Sequence, residues 1–144
     1  VWYNKGDMEQ AISDYSLAVR ISPGDAVSYL YRGDAFLKKG DIDKAGEDYD
    51  KAISLDPDNA LSWFSRGVVK YEKGEYDGAI DDYSKAIRLN PEYARAYTNR
   101  GVNYCKKERY AEAISDMEKA VKLDPEMTEF LAPYLEEAKK KIGQ

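Results

Sequence analysis

The chain has 144 residues, with 22 Lys and Arg against 27 Asp and Glu, a net charge of −5 and 43% apolar residues. That balance argues against a nucleic-acid partner, which needs a basic stripe to neutralise phosphates, and no apolar run reaches the roughly 18 residues of a membrane span. The absence of histidine and the single Cys105 remove the commonest general base, the usual catalytic triad, most zinc sites and any intrachain disulfide framework, and leave the compartment open, with the cytoplasm as default.

Proline stands at Pro23, Pro57, Pro91 and Pro125, a fixed interval of 34 residues, and a period of this size marks a stacked-repeat architecture. The first segment, 1–25, reads as a truncated repeat: counting back from Pro23 puts Val1 in the middle of a helix, with Gly6 in register with the turn glycines Gly40 and Gly74. No signal peptide is visible, but a chain that begins inside a repeat reads as a fragment. Residues 26–59 carry Tyr29, Gly33 and Phe36, then Gly40, then Ala45, Tyr49, Ala52 and Pro57. Gly46 stands where the other repeats have Ile12, Ile80 and Ile114, which predicts a locally thin core.

The central repeat, 60–93, shows the unit most clearly. One helical pattern runs from about Ala60 to Lys73 and a second from about Tyr76 to Leu89. In the second, Tyr76, Ala79, Ile80, Tyr83, Ala86 and Ile87 form one apolar stripe at helical spacing. Gly74 falls where a helix C-terminus favours positive φ, and Asn90-Pro91 ends the unit because proline cannot continue a helix. Gly67 and Ala79 let the two helices approach closely. Residues 94–127 repeat the pattern with Tyr97, Gly101, Tyr104, Ala113, Met117, Ala120 and Pro125, but Glu108 replaces the turn glycine, which predicts a looser turn. The last segment, 128–144, is rich in charge and reads as the polar-faced cap that a solenoid needs.

These residues resemble the tetratricopeptide repeat (TPR), whose pattern is a large aromatic, Leu-Gly, Tyr, Ala, Phe or Tyr, Ala and Pro. Trp63, Gly67, Ala79, Tyr83, Ala86 and Pro91 match it, as do their counterparts in the neighbouring repeats, and Arg32, Arg66 and Arg100 replace the usual leucine. The resemblance covers nearly the whole chain. It implies one all-α domain, a right-handed α-solenoid of helix–turn–helix repeats, that binds other proteins as a scaffold or adaptor and is not an enzyme.

Nothing in the chain reads as a catalytic, cofactor or metal site. Asp41, Asp43 and Gly46 imitate the start of a calcium loop, but its last position holds Ala52. Paired acids such as Asp81-Asp82 read as solvated helix faces, and Cys105 as a half-buried structural thiol.

Function is expected on the concave side, which the first helix of each repeat lines in this family. In the central repeat the apolar arc is wider than packing requires, and Leu61, Phe64 and Val68 are its surplus. The corresponding residues are Val27, Leu30 and Asp34, with Tyr31 at the margin, and Arg95, Thr98 and Val102, with Asn99 at the margin. The groove is thus expected to be apolar over its first two-thirds and more polar toward the C-terminal end, and to take a peptide or amphipathic helix of a partner protein. The Lys, Asn and Arg set by which some TPR domains clamp a chaperone carboxylate is not met: the last helix offers Glu129 and Pro133 at the required positions. Three alternatives remain open. The surplus residues pack inside the superhelix or against a segment before the first repeat; the domain forms a homodimer through Ile12, Tyr15 and Val19 of the truncated repeat; or it is the regulatory arm of a larger enzyme. Finally, Asp14, Asp48 and Asp82 are expected to pair with Arg32, Arg66 and Arg100 across the repeat boundaries, leaving Asp116 to Tyr134; the competing reading pairs each arginine with the aspartate of its own repeat, Arg32 with Asp48 and so on, and leaves Asp14 alone.

Overall fold

The computed structural model describes residues 5–143, with side chains from Asp7 onward. Eight helices fill them: α1 (Lys5–Ile21), α2 (Ala26–Lys39), α3 (Ile42–Leu55), α4 (Ala60–Glu72), α5 (Tyr76–Leu89), α6 (Ala94–Lys106), α7 (Tyr110–Leu123) and α8 (Met127–Lys141). The expected position of Val1 inside a helix lies outside the described residues. Gly6 is helical rather than a turn residue, since α1 already begins at Lys5.

The local chemistry explains the helix boundaries. Asp25 and Asn59 cap α2 and α4 with side-chain oxygens that accept from Val27 N and from Leu61 N and Ser62 N. Gly40 and Gly74 end α2 and the α4 turn at φ 89° and 76°. Before each of the last three repeat-ending prolines, Asp56, Asn90 and Asp124 accept a hydrogen bond from the backbone two residues on, at 3.1–3.2 Å, which folds the chain into the next helix.

Glu108 adopts φ 58°. Its turn is not looser than the glycine turns: Glu108 N donates to Cys105 O at 3.0 Å and Arg109 N to Tyr104 O at 2.8 Å, the bonds that Gly74 N and Glu75 N make at 2.9 and 2.8 Å. The missing glycine therefore appears as backbone strain, not as lost hydrogen bonds. Glu108→Gly is expected to raise stability by up to about 1 kcal/mol, read as a higher urea midpoint with an unchanged slope; a lower midpoint would refute the strain.

Helix packing follows the small residues. The helices pair as α2 with α3, α4 with α5, and α6 with α7, and each pair stacks on the next. Ala45, Ala79 and Ala113 are fully buried at the crossings, and Tyr49, Tyr83 and Met117 fill the space beside them. Gly33 and Gly67 lie against the rings of Tyr49 and Tyr83: a Cβ at either would stand 2.7 Å from the nearest ring carbon. The close approach at Gly67 thus serves the Tyr83 ring. Gly46 faces more open space, since a Cβ there would meet only Val69 Cγ1 at 3.4 Å.

The ion-pair ladder runs within repeats, not across their boundaries. Arg32, Arg66 and Arg100 grip Asp48, Asp82 and Asp116 of their own repeat through Nε and Nη2, at 2.6–2.8 Å. Asp14 instead accepts from Gln10 Nε2 at 2.8 Å, and Asp116 belongs to Arg100, not to Tyr134. Each arginine does reach the preceding repeat, but through Nη1 to a residue two positions beyond the expected aspartate: Ser16, Asp50 and Ser84, at 3.3, 2.7 and 2.9 Å. One planar guanidinium therefore ties three helices together.

Candidate functional site: the concave groove

Successive first helices touch one another, α2 with α4, α4 with α6 and α6 with α8, whereas α3, α5 and α7 do not. The array therefore curves with the first helices on the inside, and their free faces form one groove. Its N-terminal hollow is bounded by Asp34, Lys38, Leu61, Val68 and Arg95, and its C-terminal hollow by residues of α4, α6 and α8.

The expected groove residues divide by register. Val27 and Tyr31 are exposed, and Tyr31 stacks on Tyr15 with ring centroids 5.8 Å apart. Asp34, Leu61, Val68, Asn99 and Val102 are half-buried along the groove, and Arg95 is exposed with its guanidinium 5.1 Å from the Phe64 ring centre. Leu30, Phe64 and Thr98 share one register and are only 2%, 4% and 5% exposed. They form the floor of the groove rather than its open face, covered by their own repeat as well as the next: the Phe64 ring sits 5.7 Å from that of Tyr83 and 4.9 Å from that of Tyr93, and it packs with Ala96 of α6. A serine at Phe64 would therefore damage the core.

The C-terminal end departs most from expectation. It is aromatic as well as polar, because α8 is out of step with the 34-residue period. Leu131, at 0% exposure, takes the buried place that Ala96 holds in α6, one residue later than the period requires. The slip brings Phe130 and Tyr134 to the positions of Arg95 and Asn99, while Glu129 and Pro133 are exposed. The cap is thus not uniformly polar: Phe130 is 55% exposed at the groove's edge. The sequence reading also missed Tyr71, Glu72, Tyr83 and Asn103, which line the same hollow. Asn103 had a signal, since its counterparts Ala35 and Val69 are apolar.

Electrostatics within the groove are set by burial. Asp34 accepts a hydrogen bond from the Tyr49 hydroxyl at 2.7 Å, yet burial raises its carboxyl above the ordinary value of 3.8 against the opposing pull of that bond and Lys38. A carboxyl with a raised pKa binds its proton more tightly folded than unfolded, so stability falls as pH rises through that range. Asp34→Asn keeps the acceptor for Tyr49. It is expected to raise the melting temperature at about pH 7 and to have little effect at about pH 3; equal gains at both would show that the carboxylate charge is not the cause. Burial also raises the Cys105 thiol pKa, so that side chain is not an activated nucleophile.

At the N-terminal end, α1 does not present Ile12, Tyr15 and Val19 as a free face. Val19 is buried and the other two are half-buried, and the exposed apolar residues of α1 are Leu17 and Ile21.

Profiles described as "TPR repeat" match residues 33–74 and 67–106, and profiles described as "Tetratricopeptide repeat" match 94–127 and 3–25. The chain belongs to the tetratricopeptide repeat family. No curated protein matches it significantly. Among solved structures it is similar to MamA, at 26% identity and a TM-score of 0.86 over 99% of this chain and 87% of that one. It is equally similar to residues 41–end of MamA from Desulfovibrio magneticus, at 26% identity and a TM-score of 0.86 over 96% of this chain and 77% of that one. The first TPR of Spaghetti (RPAP3), solved bound to the HSP90 peptide SRMEEVD, is 25% identical with a TM-score of 0.78 over 83% of this chain and 94% of that one. No helix among the described residues is long and apolar enough to cross a membrane.

Proposed function

We propose that this domain is a scaffold or adaptor module that binds a partner protein by taking an extended peptide or amphipathic helix along the groove of α2, α4, α6 and α8. The observation that carries this reading is the continuous concave face with exposed apolar side chains at both ends, Val27 and Tyr31 on α2 and Phe130 on α8. Such side chains on a curved, preformed surface offer anchors whose burial on binding is favourable. The Spaghetti TPR domain solved with a peptide supports it by similarity. A groove formed by so few repeats is small, so affinity is on the order of micromolar.

The test is a random-peptide display library panned against the intact domain. Selected peptides should bind the wild type and lose about tenfold or more in affinity for Val27→Asp/Phe130→Asp, since each buried apolar side chain contributes about 1.5–3 kcal/mol. Both residues are exposed, so the melting temperature should not move. Peptides that bind wild type and variant equally would place the binding surface elsewhere.

A further inference from the structure

The hollow between α4, α6 and α8 has a volume of about 220 Å³. Its walls include the aromatic rings of Tyr71, Tyr83, Phe130 and Tyr134 together with Glu72, and no lysine or arginine lines it. Asn103 also lines it, at 1% exposure. Its Nδ2 donates to Asn99 O at 2.7 Å, which fixes the orientation of the amide, because a carbonyl oxygen cannot donate to another. Its Oδ1 is buried and accepts no hydrogen bond from the protein. The fold does not require an amide there, since the same register holds Ala35 and Val69.

We propose that this hollow receives a lysine side chain of the bound partner, with its methylenes against the aromatic walls and its ammonium beside the Asn103 amide and facing Glu72. The inference rests on the groove reading and adds the chemistry of one anchor. Ring faces carry negative potential and attract a cation. A buried, unused acceptor selects a guest that donates, and a carboxylate selects one that is positive. An apolar guest would leave Asn103 unsatisfied, and an acidic one would face Glu72. An ammonium is a compact point charge suited to the one acceptor and one carboxylate that the hollow offers, whereas a planar guanidinium gains most from a bidentate partner. The net charge of −5 draws a basic segment toward the domain.

The probe is N-acetyl-lysine-N-methylamide, titrated into the intact domain and followed by the NMR signals of the Asn103 side-chain amide and the α8 backbone. The norleucine and arginine analogues serve as controls. Saturable shifts are expected with lysine, and binding about tenfold weaker with norleucine. In Asn103→Val, which installs the residue found at position 69, the domain should melt no lower than wild type and the lysine preference should disappear. Equal binding of norleucine, equal or tighter binding of arginine, or no saturable shift would each overturn the assignment. The single-residue probe reports on the hollow whether or not the groove holds a peptide, and the library reports on the groove whether or not its peptides carry lysine. The two readings therefore fail separately.

Discussion

Arg100→Met is expected to cost the domain about 3 kcal/mol, a drop in melting temperature of roughly 10 °C. The reason lies in what the substitution leaves behind. The Asp116 side chain is 8% exposed and both its oxygens are satisfied by Arg100 alone, through Nε at 2.6 Å and Nη2 at 2.7 Å. Remove the guanidinium and a buried carboxylate has no partner, which is far more costly than losing an exposed pair. The central repeat supplies the control. There Asp82, with a side chain 3% exposed, also has Lys70 Nζ at 3.0 Å, whereas the position of Lys70 is Tyr104 in the next repeat. Arg66→Met should therefore cost less than Arg100→Met, even though Arg66 also loses its contact with the exposed Asp50. Arg100→Met/Asp116→Leu should recover most of the loss, because it removes the stranded charge. Equal melting of the two single variants, or no recovery in the double, would show that these pairs do not stabilise as argued.

The error about this ladder shows what a repeat sequence can and cannot reveal. The period aligned Arg32, Arg66 and Arg100 with one another and the aspartates with one another. It could not say which aspartate belongs to which arginine. A partner 16 residues later in the same repeat and one 18 residues earlier in the preceding repeat recur equally often, because the two offsets sum to the period. Only the distance between helices decides between them. The same blindness affected Leu30, Phe64 and Thr98: the width of an apolar arc does not say how far the partner helix and the next repeat close over it, and Leu30 packs with both Tyr49 and Val69, Phe64 with both Tyr83 and Ala96. Gly33 and Gly67 were legible because the close approach they permit lies inside one repeat, where spacing along two joined helices fixes the geometry.

The candidate site was legible in its helices and less so in its end wall. Counting by 34 selected Glu129 and Pro133, but α8 packs by the Leu131 and Ala138 face, both fully buried. Nothing in the period announces that one-residue slip. What makes the groove particular is where repeats differ at one register. Ala35, Val69 and Asn103 occupy equivalent places, as do Asp34, Val68 and Val102. The shared residues hold the helices together, and the variable ones decide what the surface can recognise.

Gly67→Ala is the substitution expected to injure packing most for the least added volume. Alanine is the better helix former by about 1 kcal/mol, so propensity alone predicts a gain. Sterics decide otherwise. The new methyl carbon would stand 2.7 Å from Tyr83 Cε1 and 2.9 Å from Cδ1. The ring cannot swing away, since Tyr83 is 1% exposed and packs against Phe64. Helices α4 and α5 must separate, and overpacking of this kind costs about 3 kcal/mol. At Gly101 the nearest atom is Cγ of Met117 at 2.9 Å, part of a flexible side chain, although Ala113 O stands at 3.3 Å. Gly101→Ala should cost less, about 1–2 kcal/mol. At Gly46, with only Val69 Cγ1 at 3.4 Å, the helix propensity is unopposed, and Gly46→Ala should gain up to about 1 kcal/mol. Urea midpoints should therefore rank Gly46→Ala above wild type, then Gly101→Ala, then Gly67→Ala. A Gly67→Ala protein that unfolds at or above the Gly101→Ala midpoint would mean that the Tyr83 ring yields more easily than its burial implies.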